Sequence, residues 1–390
     1  MPYASIIPPL TTVGSSLAPS NKELIKEASE SNPNDVASIA QLRKTWSQKE
    51  TSIAFQLIEA QERAKNKWKK PHNLLADSEG TQQCTSWRIA EHKAKRFFGE
   101  APIYDLCCGI GGDLQSLPMQ AIGVDIDETR CIMARHNSKH KVICKNILEL
   151  EVSRDSLLHI DPARRGSGKR LHTLESMQPN LSELNQHLIT CKGGAIKVSP
   201  GIQREELENF PVPFELEFIE EQGRVVQCVI WFGSLALHEG QATATSLSLS
   251  KTYSSKAEIS QFNKDISGFL LEPNPALERS GLHCNIANTI SAYELAPQLG
   301  LFCMKKAVNN AWFKKFEVLG TTSLRIEKVK KELSLLGCTQ VEVKTRGKVI
   351  DPNEWQNKLT TNSSGELLTL FALRLGRKRI VAITRRAERL

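Results

Sequence analysis

The stretch Ile103–Leu117, IYDLCCGIGGDLQSL, constrains the fold of this chain more than any other. An apolar, strand-like run stops at two cysteines and enters a turn holding Gly109, Gly111 and Gly112, where the backbone can bend tightly or approach a ligand. Such a segment is a metal or redox site, a phosphate cradle or a plain tight turn. The metal reading is the weakest. Neighbouring strand residues point to opposite faces, so the thiols of Cys107 and Cys108 do not converge on one ion, and the ten cysteines contain no CxxC pair and no zinc-type spacing. No metal is expected.

The residues beyond the turn set the fold class. Short apolar segments alternate with longer polar or amphipathic ones: IYDLCC, AIGVDID, KVICKNI, SLLHIDP, GGAIKVSP, then LEFIEE with VVQCVIWFG. This predicts an α/β domain over 101–250, a doubly wound, mostly parallel sheet closing on an antiparallel pair around Gly223. Before it, residues 1–34 are rich in Ser, Pro and Asn and read as a flexible tail. Residues 35–100 read as a small helical domain, with Ile39, Leu42, Trp46, Ile53 and Leu57 at one-turn spacing. A linker containing TYSSKAEISQ leads to 262–390, read as a small α+β domain. There Ile326, Val329, Leu333 and Leu336 share a helical face that stops at Gly337, Asp351-Pro352 with Glu354 starts another helix, and the turn GRKR makes a closing hairpin.

In an open parallel sheet, ligands bind beyond the carboxyl ends of the strands, where the first strand turns into its helix. The glycine turn falls there. A dinucleotide site would carry GxGxxG, which is absent; instead Asp105 is followed by Cys107, Gly109 and Gly111 at alternate positions. Asp125 and Asp127 end the next strand, sixteen and eighteen residues after Gly109, about where a ribose-binding carboxylate falls. Asp125 is the better candidate, since Asp127 reads as the cap of ETRCIMARHN.

The pattern Asp105, Cys107, Gly109, Gly111, Gly112 resembles motif I of the class I S-adenosylmethionine (SAM) dependent methyltransferases, with Cys107 where many members have glycine. The resemblance implies a Rossmann-like sheet, SAM as cofactor, and Asn146 where members often place an acid beside the adenine; Asn146 reads equally as a turn residue. Asp161-Pro162 resembles motif IV of amino-methyltransferases, with Ala163 for the second proline and Arg164 for the aromatic. A carboxylate that holds an amine and accepts its departing proton nearly suffices for in-line methyl transfer. RNA uracil-C5 chemistry is disfavoured, because Ser199 stands where a nucleophilic cysteine would be needed and Cys191 lies at the other end of that strand.

Taken in order, DLCCGIGGD, GVDID, DPARRG, KVSPGI, VIWFG and FLLEPNPALERSGL resemble a bacterial family of class I SAM-dependent methyltransferases with a C-terminal THUMP-like domain, from about Gln82 onward. THUMP domains are RNA-binding modules, so the resemblance implies tRNA or rRNA as partner and a base nitrogen as acceptor. The charge agrees with this. Of a net +8, residues 301–390 hold 19 Lys and Arg against 8 Asp and Glu, a local +11. Expected RNA contacts are Arg164, Arg165, Lys344, Arg346, Lys348, Arg377, Lys378 and Arg379. A methyltransferase of a small molecule or protein, a noncatalytic RNA-binding protein and a nucleotide-dependent oxidoreductase are the rivals. No apolar run reaches the ~20 residues of a membrane span, the first twenty residues lack a secretory pattern, and reduced cysteines are expected, which together predict a soluble cytoplasmic protein.

Overall fold

The computed structural model describes residues 22–32, 35–164, 174–360 and 366–387. The chain divides into two compact units, residues 1–215 with 228–239 and residues 216–227 with 240–390.

The first unit opens with helices α1 (Lys22–Glu30), α2 (Val36–Leu42) and α3 (Gln48–Arg63). Ser47 and Glu50 close a reciprocal capping box at the start of α3, satisfying donors that a helix end leaves open. Leu24, Ala28, Leu42 and Ala54 form a small core. Within the tail expected over 1–34, Lys22–Glu30 is helical instead, Leu24 and Ala28 giving α1 a buried face that the polar composition hides, while residues 1–21 and 33–34 lie outside the described residues. A second cluster joins Ala60, Ala64, Trp68 and Leu74 to Ile110 and Met133, so the helices pack onto the glycine turn itself.

After α4 (Ser78–Gln83) and α5 (Trp87–Ala94) come four short strands, β1 (Ile103–Leu106), β2 (Ile122–Asp125), β3 (Lys141–Cys144) and β4 (Leu157–Ile160). Helix α6 (Glu128–Ser138) connects β2 to β3, and α7 (Leu181–Thr190) precedes β5 (Gly193–Val198). Pairing runs β5-β4-β1-β2-β3, all parallel. β6 (Phe214–Glu221) leads through Gln222 and Gly223, both at positive φ, into β7 (Arg224–Gly233), whose end runs antiparallel to β5 from Gly193↔Gly233 to Val198↔Cys228. Strand order reverses beside β1, so the crevice lies over the carboxyl ends of β1, β2 and β4. Trp231 and Phe232 are fully buried core aromatics.

In the second unit, β8 (Ala242–Ser246) runs parallel to Leu216–Glu220 and antiparallel to β9 (Lys251–Ser255). The expected linker therefore begins as a strand, because its Thr and Tyr pair across to the small residues of β8. A seven-stranded sheet comes next: β10 (Phe269–Pro273), β11 (Tyr293–Glu294), β12 (Phe302–Met304), β13 (Phe313–Ser323), β14 (Cys338–Arg346), β15 (Glu366–Leu375) and β16 (Lys378–Arg386). Its order is β11-β12-β10-β13-β16-β15-β14. Only β14 and β15 are parallel among its pairs. Helix α8 (Pro275–Arg279) and helix α9 (His283–Thr289) come after β10. Helix α10 (Ile326–Leu335) buries Val329 and Leu333 against Val341, Leu368 and Val381, while Leu336 is exposed, so its apolar face is narrower than expected. Helix α11 (Pro352–Leu359) starts as its sequence predicts, Asp351 accepting from the amides of Asn353 and Glu354.

Candidate active site

The glycine turn is built from three left-handed residues at alternate positions, Cys107 (φ 59°), Gly109 (φ 54°) and Gly111 (φ 85°). This explains the demand for small residues and shows that Cys107 occupies a conformation L side chains avoid. The Cys107 thiol is pushed up by burial, then by the carboxylates of Asp125, Asp161 and Asp105, and Cys108 is also buried and raised. The glycines differ in what they do. A Cβ on Gly109 would meet nothing within 4 Å, so this residue faces open space. One on Gly111 would stand 3.3 Å from the backbone of Ala134 in α6, and one on Gly112 would stand 3.2 Å from Cys84 and Thr85. At Gly111 and Gly112, both expected at the cofactor, the missing side chain permits close packing.

Asp125 ends β2 with its carboxylate accepting from two amides, Gly109 N at 2.8 Å and Asp127 N at 3.0 Å. Asp127 caps α6 through Arg130 N. Asn146 begins a short turn after β3, its side-chain oxygen accepting from Leu148 N at 3.1 Å.

Asp105 is not where a ligand contact would put it. It is 1% exposed, and its Oδ1 accepts from His159 Nδ1 at 2.6 Å while Oδ2 is buried without a partner. Burial, opposed by His159, raises its pKa. From His159 a buried network continues. The Lys93 ammonium lies 2.9 Å from His159 Nε2 and 2.7 Å from Asp113 Oδ1; Asp113 Oδ2 accepts from Thr85 Oγ1 at 2.7 Å. A carboxylate faces Nδ1 and an ammonium faces Nε2, so the ring bridges the two charges. Lys197 Nζ then donates to Thr85 Oγ1 at 3.2 Å and to Asp161 Oδ2 at 2.6 Å. Burial alone would raise Asp113, but Lys93, His159 and Lys197 hold its carboxyl well below the usual range. Burial alone would lower Lys197, and Asp161 with Asp113 outweighs it, so the ammonium is favoured.

Asp161 therefore sits at the mouth of a buried charge chain. Its amide donates to Leu106 O at 3.1 Å, which fixes the end of β4 against β1, and Pro162 is buried behind it. Half-buried, Asp161 has one oxygen on Lys197, and its other oxygen has no partner among the described residues. Asp113 closes the DLCCGIGGD stretch and Lys197 opens KVSPGI, but neither they nor Thr85 and Lys93 are among the expected site residues. The signals for the two lysines were a cation inside the apolar strand AIKV and one on the buried Ile89, Ala90, Phe97 face of α5 and the turn after it. The backbone of Ala163–Arg164 pairs with Met177–Gln178; Arg165 lies outside the described residues.

The expected RNA contacts of the second unit divide in two. Lys344 Nζ is 2.6 Å from Glu272 and lies over the rings of Phe316 and Phe371, and Arg346 holds Glu278 at 2.7 Å. Carboxylates beside both compensate their charge. Lys348, Arg377, Lys378 and Arg379 are exposed and make no ion pair among the described residues. Among the described residues there is no cluster of His, Cys, Asp and Glu arranged to hold a metal, and no helix long and apolar enough to cross a membrane.

Comparison with known proteins adds three findings. The THUMP domain-like family matches residues 313–386. Two strains of Mycobacterium tuberculosis carry an uncharacterized S-adenosylmethionine-dependent methyltransferase that is 28% identical over 304 residues, spanning 76% of this chain and 84% of that protein. A crystal structure from Porphyromonas gingivalis W83, provisionally named a methyltransferase, superposes with a TM-score of 0.76 over 94% of this chain and 98% of that one. At 16% identity this last likeness is one of fold.

Proposed function

We propose that this protein, a SAM-dependent methyltransferase with a C-terminal THUMP-like domain, methylates a base nitrogen of tRNA or rRNA in the cytoplasm. The residues present fit the cofactor: Gly109 leaves open space at the turn, and Asp125, which holds two backbone amides, is a carboxylate at the end of β2, where a ribose contact is expected. Asp125, Gly109 and Asn146 would hold the bound cofactor. When bound, SAM supplies an electrophilic methyl group on a sulfonium.

The Asp161–Lys197 pair carries the reading. Lys197 at 2.6 Å fixes one oxygen of Asp161, so the other is left to accept an N–H of the incoming amine and aim its lone pair. The proton released by the alkylated nitrogen passes to that oxygen and on to water. Pro162 sets the backbone that presents it. Thr85 and Asp113 hold Lys197 from the inner side, so the carboxylate is aimed before substrate arrives. Support for RNA comes from the THUMP-like match and from the exposed cations at Lys348 and Arg377–Arg379.

The test is transfer of labelled methyl from SAM to size-fractionated RNA and to protein extract from cells lacking the gene. The proposal expects label in one RNA band that disappears with Asp161→Ala. Label in protein or in small molecules alone, with RNA unlabelled, would replace RNA as the acceptor.

A further inference from the structure

The second unit contains a cavity of about 460 Å³ between the segment after β9, helix α9 and the loop after β11. That volume suits a small aromatic group, small-ligand pockets running from about 300 to 1,000 Å³. Its mouth is apolar and exposed: Ile259 is 84% and Phe262 48% exposed. Phe262 is nevertheless held in place, because Gln261 O accepts from Glu294 N and Asn263 N donates to Glu294 O on either side of it. Inside lie polar groups: Ser260, 4% exposed, and His283, which both face the Cys284 thiol. Gln298, also in the wall, is held at φ 60°, a strained conformation of the kind that gathers at binding sites. Glu258 adds a carboxylate acceptor.

Unpaired cations border this cavity. Two residues beyond Phe262, the ammonium of Lys264 lies 3.8 Å from where a Cβ on Gly376 would stand, so it meets the β15–β16 turn. That turn carries Arg374 opposite Arg379 and Lys378 opposite Leu375, with Arg377 between. On the other side, Glu278 of the cavity wall is tied to Arg346, and the next residue, Gly347, packs against Arg374. Lys264, Lys348, Arg374, Arg377, Lys378 and Arg379 are exposed and without ion pairs among the described residues.

We infer that the second unit binds single-stranded RNA, with one unstacked base entering the cavity behind Phe262 and the neighbouring phosphates on the cationic β15–β16 turn. This rests on the proposal that RNA is the substrate and adds a second contact to it. An aromatic lip with convergent polar groups is how unstacked bases are held, every base having a π-face and a hydrogen-bonding edge. A duplex offers no free base, so it would engage the cations alone.

Fluorescence anisotropy of the full-length protein with a short labelled single-stranded RNA, over a range of salt, tests this. Phe262→Ala is expected to weaken binding roughly 5- to 100-fold with the salt slope unchanged. Arg377→Ala, Lys378→Ala and Arg379→Ala combined is expected to flatten the slope of log K against log salt by about 2. Equal affinity of Phe262→Ala and parent would overturn the base site while leaving RNA as substrate intact. Parent protein that binds SAM normally but no RNA would sink both.

Discussion

The crevice of the first unit and the β15–β16 turn of the second both depend on cations, and they use them in opposite ways. Lys93 is 1% exposed and Lys197 half-buried, each bonded to one carboxylate and to a second polar side chain, so their charges hold other groups in position. Arg374, Arg377, Lys378 and Arg379 stand in solvent without counter-charges among the described residues, so theirs remain available to a polyanion. Lys344 and Arg346 belong with the first group although they lie in the second unit, because Glu272 and Glu278 neutralise them. The lesson is that a local excess of +11 overstates the field a partner meets; what counts is which cations have no carboxylate beside them.

Substitutions can break this contrast at different strengths. The largest effect is expected from Asp161→Ala, with methyl transfer falling by about 10²–10⁴ and SAM affinity, by calorimetry, hardly altered. Next, Lys93→Met would leave Asp113 buried without its ion pair and cost about 3–5 kcal/mol of stability in denaturant titration. The pH dependence has a defined sign. Since the Asp113 carboxyl is held below its ordinary value, its contribution is complete above about pH 4 and is lost as pH falls toward the folded-state value, and Lys93→Met should remove that acid-side loss. The raised value of Asp105 works the other way, its contribution diminishing as pH rises through and above the ordinary carboxylate range.

Smaller effects sharpen the contrast. Asp125→Ala is expected to weaken SAM binding by about 10-fold or more through the lost charge-assisted hydrogen bonds, again by calorimetry. Cys107→Gly would relieve the left-handed backbone and raise stability by up to about 1 kcal/mol, seen as a modest rise in Tm. Least of all, Lys344→Gln should leave the salt slope of RNA binding unchanged, since its charge already belongs to Glu272. A flatter slope in that variant would put Lys344 among the phosphate contacts.

The legible parts of this protein were those written locally. The strand-to-turn pattern at Ile103–Gly112 predicts the sheet and its crevice because left-handed positions demand small residues, and Asp125 and Asp161 stand out because each closes an apolar strand. The buried network could not be read that way. Its contacts join residues far apart in sequence, Lys93 with His159 and Thr85 with Lys197, and each side chain alone looks like an ordinary polar residue. Asp105 shows the same limit: its place in the motif was plain, but that it turns inward to His159 depends on strand pairing between β1 and β4. In α1, composition concealed what one-turn spacing of Leu24 and Ala28 contained.

The division between buried, paired charges and exposed, unpaired ones is tested most directly by the salt dependence of the proposed RNA methylation at steady state. Buried pairs are screened little and exposed cations strongly, so KM for RNA should rise steeply with salt while kcat stays nearly constant. A KM insensitive to salt, or a kcat that falls in step with rising salt, would contradict the account.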